Sequence, residues 1–136
     1  MHRIDLPKSS PEAWYFWAHR TVHFRHACRL LNEFLLQQLS PELRARFRFT
    51  TITLNQDFCC PRHRDRNNAG PSAICAAGPF PGGALRYWDR DGRSGPDSRL
   101  DPADAVDLRL RQKVWLCDGT KAHEVTPFDG QRTSVV

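Results

Sequence analysis

The 136-residue chain lacks long apolar runs, C-x-x-C pairs and internal repeats. No stretch approaches the roughly 20 apolar residues that a membrane-spanning helix needs. The first ten residues, MHRIDLPKSS, contain no apolar segment of the kind found in signal peptides. We therefore expect a soluble protein with no membrane partner.

The cysteines form an odd set of five with no paired spacing, so the sequence predicts no disulfide framework and a reduced, cytoplasmic or nuclear setting; they are Cys28, Cys59, Cys60, Cys75 and Cys117. The net charge of +5 allows an anionic partner, either a nucleic acid or an acidic cofactor. The arginines are scattered, so nucleic acid is a weak inference. The length fits one domain.

The pattern of apolar residues predicts helices first and strands afterwards. A helix is expected from Ser10, with an apolar face formed by Trp14, Trp17, Thr21, Phe24, Cys28, Leu31, Leu35 and Leu39. A short helix follows from Ser40 to about Arg46. Strands are expected at 47–54, 72–77, 84–88, 106–111, 113–117, 122–126 and 131–136. We interpret residues 1–46 as supporting helices and 47–136 as a β core, which makes a mainly β fold with an N-terminal helix.

The most informative stretch is NQDFCCPRHRDRNNAGPS, residues 55–72, with His63 and Asp65 at its centre. Side chains two apart in an extended segment project to the same side, so these two groups face one point. With a second histidine they would form the two-histidine, one-carboxylate face that binds Fe(II) and leaves positions open for O2 and small molecules.

A third ligand is predicted near the C-terminal strands. Asp129-Gly130 is typical of a two-residue hairpin turn, and a clean hairpin there would place His123, Arg132 and Ser134 on one side of a sheet. The levels of His123 and Arg132 would then differ by about 13 Å. That gap suits a small dianion that binds a metal at one end and the guanidinium at the other.

The order His63-x-Asp65, His123, Arg132-x-Ser134 resembles the signature of Fe(II)- and 2-oxoglutarate-dependent oxygenases, which have a double-stranded β-helix (jelly-roll) core. The run HRDRNNAGPSAICAAGPFPGGALRYW is similar to a subset of this superfamily that includes the TET and JBP nucleobase hydroxylases and many uncharacterised microbial and algal domains. The likeness covers roughly residues 47–136. The family's last core strand usually continues further, so the resemblance implies a core truncated at Val136.

The resemblance implies a role for each matching residue. His63, Asp65 and His123 would be the iron ligands, and Arg132 would bind the distal carboxylate of the cosubstrate 2-oxoglutarate with help from Ser134. Asn68 would hydrogen-bond near the cofactor or order the metal-binding loop. The implied activity is hydroxylation of an unidentified substrate, using O2 and releasing succinate and CO2.

Other interpretations remain open at this stage. The jelly roll could be a catalytically inactive binding or scaffold module, and Cys59, Cys60 and His63 could bind zinc, although adjacent cysteines on a strand face opposite ways. The surrounding charged and aromatic side chains have two interpretations each, substrate contact or ordinary surface and core packing; they are Arg62, Arg64, Arg66, Tyr87, Trp88 and Trp115. The segment DRDGRSGPDSRLDPAD, residues 89–104, is expected to be a surface loop near the site.

Overall fold

A computed structural model of the protein describes residues 2–5, 24–111 and 113–136. The helices are α1 (Arg25–Gln37) and α2 (Pro41–Arg46). The strands are β1 (His2–Asp5), β2 (Thr51–Gln56), β3 (Ser72–Ala77), β4 (Leu85–Tyr87), β5 (Val106–Leu108), β6 (Trp115–Cys117), β7 (His123–Val125) and β8 (Thr133–Val135). Single 3-10 turns lie at Asp97–Arg99 and Pro102–Asp104.

The strands form two antiparallel sheets, one with the order β1-β2-β8-β3-β6 and the other with the order β5-β4-β7. The described part of the chain is therefore mainly β with helix α1 packed on one sheet, as the sequence pattern predicts. Among the described residues, no helix has the length and apolarity needed to cross a bilayer.

Several predicted boundaries agree with the structure. Strand β3 has the predicted limits, and the other predicted strands are found with shorter or shifted ends. The Ser40 hydroxyl accepts a hydrogen bond from the Leu43 amide at 3.4 Å, which is the predicted cap of α2. The part of the first predicted helix before residue 24 lies outside the described residues. The structure also has a strand at residues 2–5 that the sequence pattern did not predict.

That strand, β1, pairs with β2, with Ile4 opposite Ile52. The N-terminal residues were expected to be a polar lead-in, because an edge strand of four residues gives no periodic signal. The division of the chain at residue 46 stays a prediction.

The predicted hairpin at Asp129-Gly130 is wrong. Strand β7 pairs with β4, whereas β8 pairs with β2 and β3, so this turn carries the chain from one sheet to the other. After β7 the chain makes one more bridge, between Phe128 and Gly82, and Gly82 lies three residues before β4 of the three-stranded sheet. A turn motif fixes a local reversal, and pairing partners are decided by the whole sheet.

The five-stranded sheet has two buried faces. Helix α1 covers one face, where Leu35 packs with Ile52, Cys75 and Val135. The three-stranded sheet covers the other, and the side chains between the sheets form the larger apolar cluster of Ala76, Phe80, Leu85, Leu108, Leu110 and Cys117. Ser134 lies opposite both Ala76 and Asn55, so these three residues face the space between the sheets.

Candidate metal centre

The segment from Cys60 to Asp65 runs beside β7 and extends the three-stranded sheet. His63 and His123 exchange two backbone hydrogen bonds of 3.0 Å each, and the Val125 amide donates to the Cys60 carbonyl at 2.9 Å. Residues directly opposite each other share a face. The two imidazole rings consequently lie next to each other, with centroids 4.3 Å apart.

The structure brings His63, Asp65 and His123 together at one point. His63 Nε2 is 3.5 Å from one carboxylate oxygen of Asp65, and His123 Nε2 is 4.0 Å from the other. One ligand atom from each residue lies within 4.8 Å of the others, which is close enough to hold a metal ion. Two imidazoles and a carboxylate are the donors of a facial metal site with open positions.

Backbone carbonyls orient both imidazoles. His63 Nδ1 is 2.8 Å from the Pro61 carbonyl, and His123 Nδ1 is 2.8 Å from the Lys121 carbonyl. A carbonyl only accepts, so each Nδ1 carries a proton, and Nε2 is the ring nitrogen that faces Asp65 and is left to bind a metal. Second contacts of this kind fix the tautomer in known histidine metal sites.

The electrostatics of the cluster favour a cation. Hydrogen bonds to Asp65 and Cys60 raise the pKa of His63 to about 10, and the same pairing with His63 lowers the pKa of the Asp65 carboxyl. Burial lowers the pKa of His123, which keeps that ring neutral. Without a metal, a proton on His63 therefore supplies the positive charge that the cluster attracts.

Asn68 contacts Asp65, while its two predicted roles, in cofactor binding and in ordering a metal-binding loop, stay predictions. Its Nδ2 donates to Asp65 Oδ2 at 3.0 Å and to the Ser72 hydroxyl at 3.2 Å. Gly119 makes room for this arrangement, and its carbonyl accepts a hydrogen bond from the Asp65 amide at 2.8 Å. A Cβ at Gly119 would lie 2.8 Å from Asp65 Oδ2 and still closer to the Asn68 amide, so a side chain there would displace both.

Arg132 is buried between the sheets without a polar partner. Only 1% of its surface is exposed, and Nε, Nη1 and Nη2 have no hydrogen bond. The guanidinium carbon lies 5.6 Å from the Phe80 ring and 5.5 Å from the Phe128 ring. Burial lowers its pKa from the usual range. A buried cation with three unpaired donor nitrogens is costly, and an anion that enters between the sheets would relieve that cost.

The backbone around Arg132 is fixed. Its amide donates to Asp57 Oδ1 at 2.6 Å, and its carbonyl accepts from the Asp57 amide at 2.8 Å. Gly83, with φ of +64°, leaves space for the side chain, because a Cβ there would lie 3.0 Å from Arg132 Cδ. Ser134, two residues on and 3% exposed, faces the same space, and so does Asn55, whose buried amide oxygen has no partner.

His123 faces this same space from the opposite sheet. It lies opposite Tyr87, and Tyr87 and Val125 pack against the apolar cluster between the sheets. His123, Arg132 and Ser134 thus face one interior from two sheets, and the prediction that a hairpin places them on one side of a single sheet is wrong.

The arginines beside the ligands are engaged within the protein. Arg64 pairs with Asp91, whose side chain is 1% exposed, and Arg62 pairs with Glu124 while lying 4.1 Å from the centroid of the Trp88 ring. The ion pairs of Arg62 and Arg64 therefore match neither interpretation from the sequence, which were substrate contact and a freely solvated charge. Arg66 is exposed.

The aromatic residues near the site belong to the interior. Trp88 is 1% exposed and donates its indole N–H to the Asp101 carbonyl at 2.7 Å. Tyr87 and Trp115 are half-buried against the inter-sheet cluster. Of the two interpretations, core packing fits these three residues.

The cysteines do not form a second metal site with His63. Cys60 Sγ lies 3.3 Å from His63 Nδ1, but Cys59 Sγ contacts the Val125 carbonyl at 3.2 Å. Within the described residues, the only group of three metal-binding side chains that converges is His63, Asp65 and His123. The zinc interpretation with Cys59 therefore has no geometric support.

A surface cleft of about 300 Å³ adjoins the site on the far side of Asn68. It is lined by Asn68, Gly70, Pro71, Arg93, Asp118 and Thr120.

Comparisons with protein-family models, with curated proteins and with solved structures find no match for the chain.

Sequence reasoning missed two residues that shape the site. Gly119 follows Asp118 four residues before His123, and this Asp-Gly pair was a turn signal that could have marked a close backbone approach. Asp91 gave no signal, because its partners Arg64 and Ala122 lie about 30 residues away in the sequence.

Proposed function

We propose that the chain is an Fe(II)- and 2-oxoglutarate-dependent dioxygenase with a double-stranded β-helix core, which hydroxylates an organic substrate and releases succinate and CO2. His63, Asp65 and His123 would hold the iron. The observation that supports this function most is Arg132, a buried guanidinium without a partner in the same inter-sheet space as His123. The two facing antiparallel sheets agree with a jelly roll.

The donor set fits Fe(II) but does not by itself select it, since two histidines and a carboxylate also bind catalytic zinc. Arg132 distinguishes an Fe(II) site that uses 2-oxoglutarate from a catalytic zinc site. A zinc-bound water needs no buried cation nearby, whereas a cosubstrate with two carboxylates needs a second anchor beyond the metal. The unpaired donors of Arg132 thus favour 2-oxoglutarate as the partner of the metal.

The chain's own residues would bind and orient this cosubstrate. The guanidinium of Arg132 would take the distal carboxylate bidentately, and the Ser134 hydroxyl would donate to the same group. Phe80 and Phe128 flank the guanidinium and keep water from it. Asn68 would hold Asp65 in place as the metal's carboxylate ligand.

Bound Fe(II) and 2-oxoglutarate supply the O2-dependent oxidation that hydroxylates the substrate. The polypeptide contributes ligand geometry, orientation of the cosubstrate and exclusion of water from the arginine. Because the Nδ1 protons of His63 and His123 bond to the carbonyls of Pro61 and Lys121, each ring would bind the metal through Nε2.

The test is anaerobic titration of the protein with Fe(II) and 2-oxoglutarate, followed by admission of air and measurement of succinate. We expect a weak visible charge-transfer band that is lost in His63→Ala and that needs far more 2-oxoglutarate in Arg132→Lys. The lysine variant is the matched control, since it keeps the charge and removes the planar fork.

Two results would contradict the proposal. Metal binding without any effect of 2-oxoglutarate would leave a metal site of another kind, such as zinc. Absence of both metal and 2-oxoglutarate binding would leave the binding or scaffold module as the better interpretation.

A further inference from the structure

The buried carboxylate of Asp91 accepts four hydrogen bonds. Its Oδ2 accepts from Arg64 Nε at 2.6 Å and from the Ala122 amide at 2.8 Å. Its Oδ1 accepts from Arg64 Nη2 at 2.7 Å and from the Arg93 amide at 2.9 Å. The carboxylate is buried, with 1% of the side chain exposed.

Two of these partners adjoin the metal ligands. Arg64 stands between His63 and Asp65 and points away from the metal face, because neighbouring side chains in an extended segment alternate. Ala122 directly precedes His123. One carboxylate therefore bonds to both of the segments that supply ligands.

We infer that Asp91 is a positioning residue for the metal centre, holding the His63–Asp65 segment and His123 at the separation that lets their three side chains converge. The inference rests on the metal site of the proposed function and not on the identity of the cosubstrate. The two parallel hydrogen bonds of the Arg64–Asp91 pair fix the relative orientation of the two side chains, which the single bond of a lysine would not do.

The rest of the loop that contains Asp91 is fastened in the same way. Arg64 Nη1 donates to the Gly95 carbonyl at 2.8 Å. Arg62 Nη1 donates to the carbonyls of Asp97 at 3.2 Å and Leu100 at 2.9 Å. The loop that follows Asp91 is thus tied to the ligand segment at three backbone carbonyls, in addition to the bonds of Asp91 itself.

The test compares Co(II) binding by the wild-type chain and by Asp91→Asn, followed by visible absorption without oxygen. The asparagine keeps the shape and removes the charge, and it turns an NH2 group towards Arg64 or the Ala122 amide. We expect Co(II) affinity to fall about 10- to 100-fold. We also expect the positions and intensities of the cobalt bands to change, because they report ligand geometry.

The matched control is Leu35→Ala, which lies on the helix-covered face of the other sheet. It destabilises the fold without touching either ligand segment, so its cobalt affinity and spectrum should equal the wild type's. Agreement between the cobalt spectra and affinities of Asp91→Asn and Leu35→Ala would overturn the inference.

Arg64→Lys decides the matter if Asp91→Asn does not fold. It keeps the charge and loses the fork, so we expect a smaller fall in Co(II) affinity with the same spectral shift, and a wild-type affinity and spectrum would overturn the inference. If the wild-type chain itself binds no Co(II), the proposed function and this inference fail together. Wild-type binding with an unaffected Asp91→Asn defeats the inference alone.

Discussion

The two faces of the five-stranded sheet are built by the same strands and differ in what they bury. On the helix side, Leu35, Ile52, Cys75 and Val135 form an apolar cluster. On the inter-sheet side, the chain buries Ser134, one residue before Val135, and Arg132, three residues before it, and Asn55 faces the same way.

The difference separates stability from function. An apolar face gains free energy from burial alone. The inter-sheet face also holds the larger apolar cluster, but the donors and acceptors that it buries without partners cost free energy unless a ligand satisfies them. The same strand β8 thus contributes Val135 to the fold's stability and Ser134 to the candidate site, and substitutions on the two sides should have opposite signatures.

The largest expected effect is loss of the metal in His123→Ala. Removal of one of three ligands should weaken Co(II) binding by about a thousandfold, roughly 4 kcal/mol. Titration followed by absorption measures it, with Val135→Ala as the control from the helix-covered face. Equal metal affinities in the two variants would break the comparison, since the inter-sheet face would then hold no metal site.

Leu35→Ala should produce the largest loss of stability. The residue is 3% exposed, and removal of a buried leucine side chain costs about 3 kcal/mol. Denaturant unfolding measures this, and the affinity for metal should not change. A parallel loss of metal affinity would show that the two faces are energetically coupled.

The periodic parts of this fold were readable from sequence. Burial in strand β3 alternates over its first four residues, and Ser40 with Pro41 marks a helix start. The His63-x-Asp65 spacing is local, so its convergence follows from the pleat. The pairing of β7 with β4 rather than β8 was not readable, because the Asp129-Gly130 turn is compatible with both a hairpin and a crossing between sheets.

The candidate site likewise has a part that the local sequence predicts and a part that it does not. The sequence predicts His123 and Arg132 on one side of a single sheet, whereas they face each other from two sheets, an arrangement that no local motif encodes. Gly83 and Gly119 allow close approach to Arg132 and Asp65, and this depends on neighbours far away in the chain. The resemblance to oxygenases stays a prediction.

Arg132→Met should stabilise the protein when no cosubstrate is present. Methionine fills the space between Phe80 and Phe128 without a buried unpaired charge, and such replacements stabilise by about 1–3 kcal/mol. Thermal unfolding with and without 2-oxoglutarate measures both consequences. We expect a higher melting temperature, with stabilisation by 2-oxoglutarate lost.

The control is Arg132→Lys, which retains a buried charge and should not raise the melting temperature. A destabilised Arg132→Met would mean that the guanidinium already has a favourable environment in the free protein. The inter-sheet face would then differ less from the helix-covered face than its unpaired nitrogens indicate.

Metal affinity should rise with pH. The pKa of His63 is raised to about 10 in the metal-free protein, so a metal must displace its proton at neutral pH. Co(II) affinity should increase about tenfold per pH unit between pH 7 and 9. In Asp65→Asn, which removes the main cause of the raised pKa, the slope should be shallower and the affinity lower.

The metal-free protein should show the opposite trend in stability. A folded-state pKa above the unfolded value of 6.5 contributes stability that is present below pH 6.5 and is lost as the pH rises towards 10. The apolar helix-covered face has no such dependence. A stability that is flat over this range in the absence of metal would contradict the His63–Asp65 pairing.

The smallest expected effect is that of Ser134→Ala on 2-oxoglutarate. One hydroxyl hydrogen bond to a carboxylate contributes about 1 kcal/mol, so affinity should fall roughly fivefold while metal binding is unchanged. The control is Thr133→Ala, the neighbour that points to the other side of β8 and whose hydroxyl donates to Gln56 at 3.3 Å. Equilibrium titration with 2-oxoglutarate at saturating metal resolves a fivefold change. If Thr133→Ala weakens binding as much as Ser134→Ala, the loss comes from the strand as a whole, and the division of β8 into a stabilising face and a ligand-binding face does not hold.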